Sequence, residues 1–183
     1  MKRILLMTML PVLLMGSAQA QDSLLLRGNI DQIAATLDSL RAEEVRKAVR
    51  DTCFVIEAEL VSVDGHHPVS VSSRNNFFLV DKTESTLQTS FNIGRSGLNG
   101  MGGVTLDGNV GKYDVSADEE GSVRLDMVLN GIGASGNVFI IISPDGNTVR
   151  LSFMPTFRSG QVTMTGRLVS KERSDVFKGR ALL

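Results

Sequence analysis

The chain has 183 residues, 19 basic and 20 acidic, and is 42% hydrophobic and 5% aromatic, with one cysteine and no tryptophan. That is globular composition, which excludes collagen-like, disulfide-scaffold and intrinsically disordered classes. A formal charge of -1 offers no basic face to neutralise phosphates, so no nucleic-acid partner is expected.

Lys2 and Arg3, the apolar run from Ile4 to Met15, and the small-x-small triplet Ala18-Gln19-Ala20 read as a secretory signal peptide over residues 1–20, cut after Ala20. The run is shorter than the ~20 apolar residues that cross a bilayer, and it ends in Gly16-Ser17. No cysteine follows it to accept a lipid. The mature chain is therefore expected to be soluble, without an integral membrane span, and periplasmic or secreted. Without Lys2 and Arg3 it carries 17 basic against 20 acidic residues, a balance that does not favour an anionic membrane surface. Its length suits one domain.

Residues 21–52 form the N-terminal helical segment. Ile30, Ile33, Ala34, Leu37, Leu40, Val45, Ala48 and Val49 fall on about half of a helical wheel. Asn29 with Gln32 suits a helix start, and Glu43 with Lys47 has the favourable spacing of four. Arg41 and Glu44 interrupt the stripe, which predicts a bend near 39–42 or a helix only partly laid against the rest. Cys53 opens an apolar run and can make no internal disulfide, so it reads as a small buried hydrophobe rather than a reactive thiol.

From residue 53 to 169 the period changes to two. Phe54, Ile56, Ala58 and Leu60 alternate with polar residues, and the pattern recurs at 69–71, 87–91, 104–110, 113–117, 123–129, 149–153 and 162–168. Turn signals separate these runs: Asp64-Gly65, Asp81-Lys82, Glu119-Glu120-Gly121 and Pro144-Asp145-Gly146-Asn147. Connections this short join antiparallel neighbours. The fold class is mainly β: an antiparallel meander of eight to ten strands, closed as a small up-and-down barrel with the helix against it, a β-sandwich being the alternative. The run 138–142 is apolar on both faces, which predicts that the helix covers its outer side. Residues 170–183 are a C-terminal tail, polar except for Val176-Phe177.

The helix leading into Phe54-Val55-Ile56-Glu57-Ala58, the central Gly97-Leu98-Asn99-Gly100-Met101-Gly102-Gly103-Val104-Thr105 and the closing Val176-Phe177-Lys178-Gly179-Arg180 together resemble a secreted Bacteroidetes domain-of-unknown-function family, number 4251. The resemblance covers nearly the whole mature chain. It implies a lipocalin-like barrel in the periplasm or outside the cell, and it assigns no catalytic or binding residue.

Gly131-Ile132-Gly133-Ala134-Ser135-Gly136 matches the dinucleotide-binding string, but it leads into a strand-like run and no βαβ unit surrounds it, so it reads as a turn or bulge. Residues 94–103 hold five glycines and are the longest break in the alternation. They make a candidate lip at a barrel mouth, with Arg95 as an anion contact, Leu98 and Met101 as apolar contacts, and Phe91 and Tyr113 completing the candidate ligand-binding set. Phe54, Phe77, Phe91, Leu106, Leu125, Phe153 and Met164 are candidate wall residues for a lumen.

His66-His67 read as a solvated hairpin tip, and no metal site is expected. Glu57 and Glu59 have a glycosidase-like spacing, but with one tyrosine and no tryptophan there is little for a sugar to stack on, so they read as an outward face. Arg124, Asp126, Arg150 and Arg167 read as an outer face with cross-strand pairs; the alternative places one or more of them inside, binding a carboxylate. Without a catalytic constellation the chain is expected not to be an enzyme, and no cofactor is implied. Two functions follow: an exported barrel that holds a small apolar ligand without catalysis, or an envelope protein-interaction or scaffold module with a solid barrel.

Overall fold

The computed structural model of the chain describes residues 15–90, 103–131, 134–157 and 160–179. The chain divides into two compact units, Met1–Leu37 and Asp38–Leu183.

One helix, α1, runs over Met15–Arg50 without a break. Asn29 therefore lies inside the helix and does not cap it, and the helix continues through 39–42. The Leu, Ala, Gln and Arg residues on either side are good helix formers and carry the helix through Gly28-Asn29. In the second unit Ala42, Val45, Ala48 and Val49 are buried while Leu40 is 59% exposed, so the helix is only partly laid against its neighbours. Thr52 ends it in a left-handed conformation, φ 53°, with its N–H donating to Val49 O at 3.1 Å.

Among the described residues nine strands follow: β1 (Cys53–Val63), β2 (Val69–Ser70), β3 (Phe77–Asp81), β4 (Glu84–Ser90), β5 (Gly103–Ala117), β6 (Val123–Gly131), β7 (Ser135–Ile142), β8 (Val149–Pro155) and β9 (Val162–Ser170). All pairings are antiparallel. β1 and β3 to β9 pair in succession, and β9 returns to β1, closing an eight-stranded barrel. β2 lies outside it, paired only with β1 through Leu60↔Ser70 and Val61↔Val69. The runs 104–110 and 113–117 are one strand, β5, with a register shift between Val110 and Tyr113; a bulge bends a long strand without ending it. β1 has a second irregularity between Ala58 and Leu60.

The turn signals fall where the strands reverse, with positive φ at Asp64, Gly65, Lys82, Gly121 and Gly146. In the β7–β8 turn, the Ser143 hydroxyl and Asn147 N–H bond the Asp145 carboxylate and hold its pKa down to about 2. Gly131 and Gly136 flank the β6–β7 reversal. A Cβ on Gly131 would stand 2.7 Å from Asp107 O, so the glycine string serves a close approach of backbones.

Inside the barrel Phe54, Ile56, Phe78, Leu125, Ile140, Leu151, Phe153 and Met164 belong to one buried cluster, which Val45, Ala48 and Val49 of the helix join at one end. Burying a side chain of this size contributes about 1.5–3 kcal/mol. Leu106 is in the same cluster, so five of the expected wall residues face the lumen. Phe77 does not. It is buried on the opposite face, directly across from Glu57, while its neighbours Phe78 and Val80 point inward. Phe91 lies outside the described residues.

The outer side of β7 also departs from expectation. The helix from Asp38 to Arg50 joins the core at the barrel's end, and Phe139 and Ile141 stay 38% and 47% exposed.

Candidate functional site

A groove of about 320 Å³ lies on the outer wall over β1, β9 and β8. Register builds its floor. Thr165 stands between Leu60 and Arg150, and Thr163 between Ser62 and Ser152. Their strand neighbours Met164, Leu151 and Val61 point into the core, so period two turns the hydroxyls and Arg150 outward together. Gly65, His66, Pro68 and Gln161 form the rim. Two reciprocal bonds tie that rim: Asp64 N–H donates to Gln161 O at 2.8 Å, and Gln161 N–H donates to Asp64 Oδ1 at 2.9 Å.

The row continues across the wall beyond the groove. Arg150 is opposite Ile141, and Ile141 is opposite Arg124. In the next row Ser152 is opposite Phe139, and Phe139 is opposite Asp126. The four charged residues read from strands β6, β8 and β9 thus all lie on the outer face. Arg167 is paired with Glu57. Arg124 and Arg150 have no ion-pair or hydrogen-bond partner among the described residues.

A second polar row crosses the other wall, through Arg167, Glu57, Phe77, Gln88 and Thr105 on β9, β1, β3, β4 and β5. Unlike the first it is covered. Glu57 and Gln88 are 5% and 0% exposed, and the tail lies over them. Glu57 Oε2 accepts from Arg167 Nε at 3.2 Å and Nη2 at 3.1 Å, while its Oε1 accepts from the Ser174 hydroxyl at 2.8 Å. Lys178 Nζ reaches Asp107 Oδ1 at 2.8 Å. Phe177 N–H donates to Arg74 O at 2.8 Å. The outward reading of Glu57 is right in direction, but the residue is buried beneath the tail; Glu59, at the β1 irregularity, is exposed.

Of the candidate ligand-binding set, Phe91, Arg95, Leu98 and Met101 lie outside the described residues. Tyr113 stands on β5 toward the helix end of the barrel, where its hydroxyl donates to Val49 O at 2.8 Å. Burial pushes its pKa up to about 12, against a smaller opposing effect from the Thr52 hydroxyl. It fastens the helix to the barrel. His66 and His67 are exposed, and no group of three metal-ligating side chains occurs among the described residues. Cys53 is half-buried, with burial and the Asp81 carboxylate pushing its thiol pKa up, the opposite of an activated nucleophile.

With this geometry in view, residues 37–168 match the family model described as a domain of unknown function, DUF4251. The chain belongs to that family. A crystal structure of a DUF4251 family protein from Bacteroides eggerthii is similar over 78% of this chain and 96% of that one, with 32% identity and a TM-score of 0.65. No curated protein matches the chain.

The DUF4251 match includes the whole groove and the buried Glu57 and Gln88, and it ends at Leu168, before the residues that cover them. The groove is not legible in the sequence, because Leu60 lies 90 residues before Arg150 and meets Arg150 and Thr165 only through strand register. Nor is the burial of Gln88, since an outward polar residue in an alternating strand gives no sign that something will lie over it. Among the described residues no helix is long and apolar enough to cross a membrane.

Proposed function

We propose that this DUF4251 protein is an exported, non-catalytic recognition module that works through the outer wall of its barrel over β6 to β9 and β1. One observation carries the reading. Large apolar side chains of the barrel form one buried cluster in its interior, whereas the outer wall presents Arg124, Ile141 and Arg150 in one exposed row beside a groove. Exposed apolar residues flanked by charges without partners are the make-up of a surface that meets another molecule. Export rests on the n-region, apolar run and small-x-small triplet of residues 1–20, which would place the action in the periplasm or outside the cell. A non-catalytic role fits a site that has no nucleophile paired with a base.

An apolar ligand in the lumen would have to lie among Phe54, Leu125, Phe153 and Met164, which already belong to one buried cluster. The wall reading is tested by retention of the mature protein on envelope fractions of its host. Ile141→Asp combined with Arg150→Glu should abolish retention with an unchanged thermal midpoint, and Glu84→Lys on the opposite wall should leave it intact. Equal retention of all three proteins would refute it.

A further inference from the structure

We infer that the groove over β1, β9 and β8 is a binding site for a carboxylate-bearing sugar, with Arg150 as the carboxylate's partner and the floor hydroxyls as partners of the sugar's own hydroxyls. The inference rests on the outer-wall reading and names its ligand chemistry.

Charge gives the first step. None of the residues lining the groove is acidic, and Arg150 on its floor is a guanidinium with no partner among the described residues. A planar fork of donors left free in a recess fits a carboxylate, which it can engage with two parallel bonds. Arg124, across Ile141 in the same row, adds a second unpartnered cation roughly 10 Å away at the usual strand spacing. Asp126, on the same face of β6, stands opposite Phe139 in the next row, not opposite an arginine, and Glu57, opposite Arg167, is held by that arginine.

The floor gives the second step. Thr163, Thr165 and Ser152 present hydroxyls that make no hydrogen bond among the described residues, while Ser62 donates to His66 O. Hydroxyls serve as both donors and acceptors, which matches a polyol. A peptide is the poorer fit. β9 is paired along both edges, with β1 and with β8, so the floor has no free backbone ladder to receive an extended chain. A neutral sugar is also the poorer fit: no phenylalanine, tyrosine or tryptophan lines the groove, so stacking supplies little and affinity must come mainly from charge. The volume lies near the lower end of small-ligand sites, which start at roughly 300 Å³, and suits a single sugar unit better than a long chain.

The test is a titration of the mature protein followed by amide NMR shifts, with sodium glucuronate as probe and glucose and sodium acetate as controls. Glucuronate should give saturable shifts at residues 60–68, 150–152 and 161–165 with a Kd of about 1 mM or below. Glucose and acetate should each bind at least about tenfold more weakly, the loss expected when one charge-assisted contact or the hydroxyl set is missing. Arg150→Ala should weaken glucuronate by about tenfold or more, and Arg150→Lys by less. Shifts equal for glucose, equal for acetate, unaffected by Arg150→Ala, or absent altogether would each overturn the inference. Because envelope retention is measured separately, a groove that takes no glucuronate leaves the outer-wall reading standing, and a wall that retains nothing does not by itself exclude glucuronate binding.

Discussion

Gln88 grips the backbone of the tail on both sides of Lys178: its Nε2 donates to Phe177 O at 2.7 Å, and its Oε1 accepts from Gly179 N–H at 2.7 Å. The same amide also donates to Asn75 O at 3.0 Å and accepts from the Thr105 hydroxyl at 2.9 Å. One buried side chain thus fixes a segment that has no strand or helix of its own.

Gln88→Ala is therefore expected to lower stability by about 2–4 kcal/mol, since buried partners lose their bonds. The amides of Phe177 and Gly179 should exchange far faster in the variant, and trypsin should cut at Lys178 first. Chemical denaturation with hydrogen exchange checks this; slow exchange at both amides in Gln88→Ala would mean the tail is held by other means.

The Glu57–Arg167 pair predicts an asymmetry. The Glu57 side chain is 6% exposed and that of Arg167 is 59% exposed. Arg167→Ala strands a buried carboxylate with the Ser174 hydroxyl as its remaining side-chain partner, and should cost about 3 kcal/mol despite the arginine's exposure. Glu57→Gln leaves only an exposed cation behind and should cost about 1 kcal/mol. In the double variant the cost should be less than the sum of the two, which a double-mutant cycle reads directly.

Tyr113 is the chain's one tyrosine, and there is no tryptophan, so absorbance of the phenolate reports this site alone. Its pKa is raised from 10 to about 12 in the folded protein, with burial the main cause. A raised folded pKa means the native state holds the proton longer than the unfolded chain. The stabilising contribution is therefore complete below pH 10 and is lost as pH rises from 10 toward 12. The absorbance midpoint should lie near 12, and Tyr113→Phe should remove this part of the alkaline stability loss. A midpoint near 10 would show the phenol to be in water.

The sequence made some parts of this fold easy to read. β6, β7 and β8 alternate strictly between lumen and wall, so Leu125, Ile140 and Leu151 were recognisable as core and Arg124 and Arg150 as wall. β1 and β4 are buried on both faces over most of their length. Their outer residues Glu57 and Gln88 are polar, as on an exposed wall, and their burial comes from a tail about ninety residues or more away in sequence. Phe77 was misplaced for the same reason: a phenylalanine under the tail cannot be told from one in the lumen by alternation alone when Phe78 follows it. The doubly apolar β7 was seen, but its outer side, Phe139 and Ile141, stays partly exposed and is not covered by the Asp38–Arg50 part of the helix.

The central claim is that the barrel's interior is taken up by its own side chains and that recognition happens on its wall. Native mass spectrometry of the protein purified gently from its own host, paired with organic extraction of the same sample, tests this most directly. The account predicts the mass of the bare mature chain and an extract free of stoichiometric lipid. A stoichiometric apolar molecule recovered in the extract, matching an adduct on the intact protein, would contradict it.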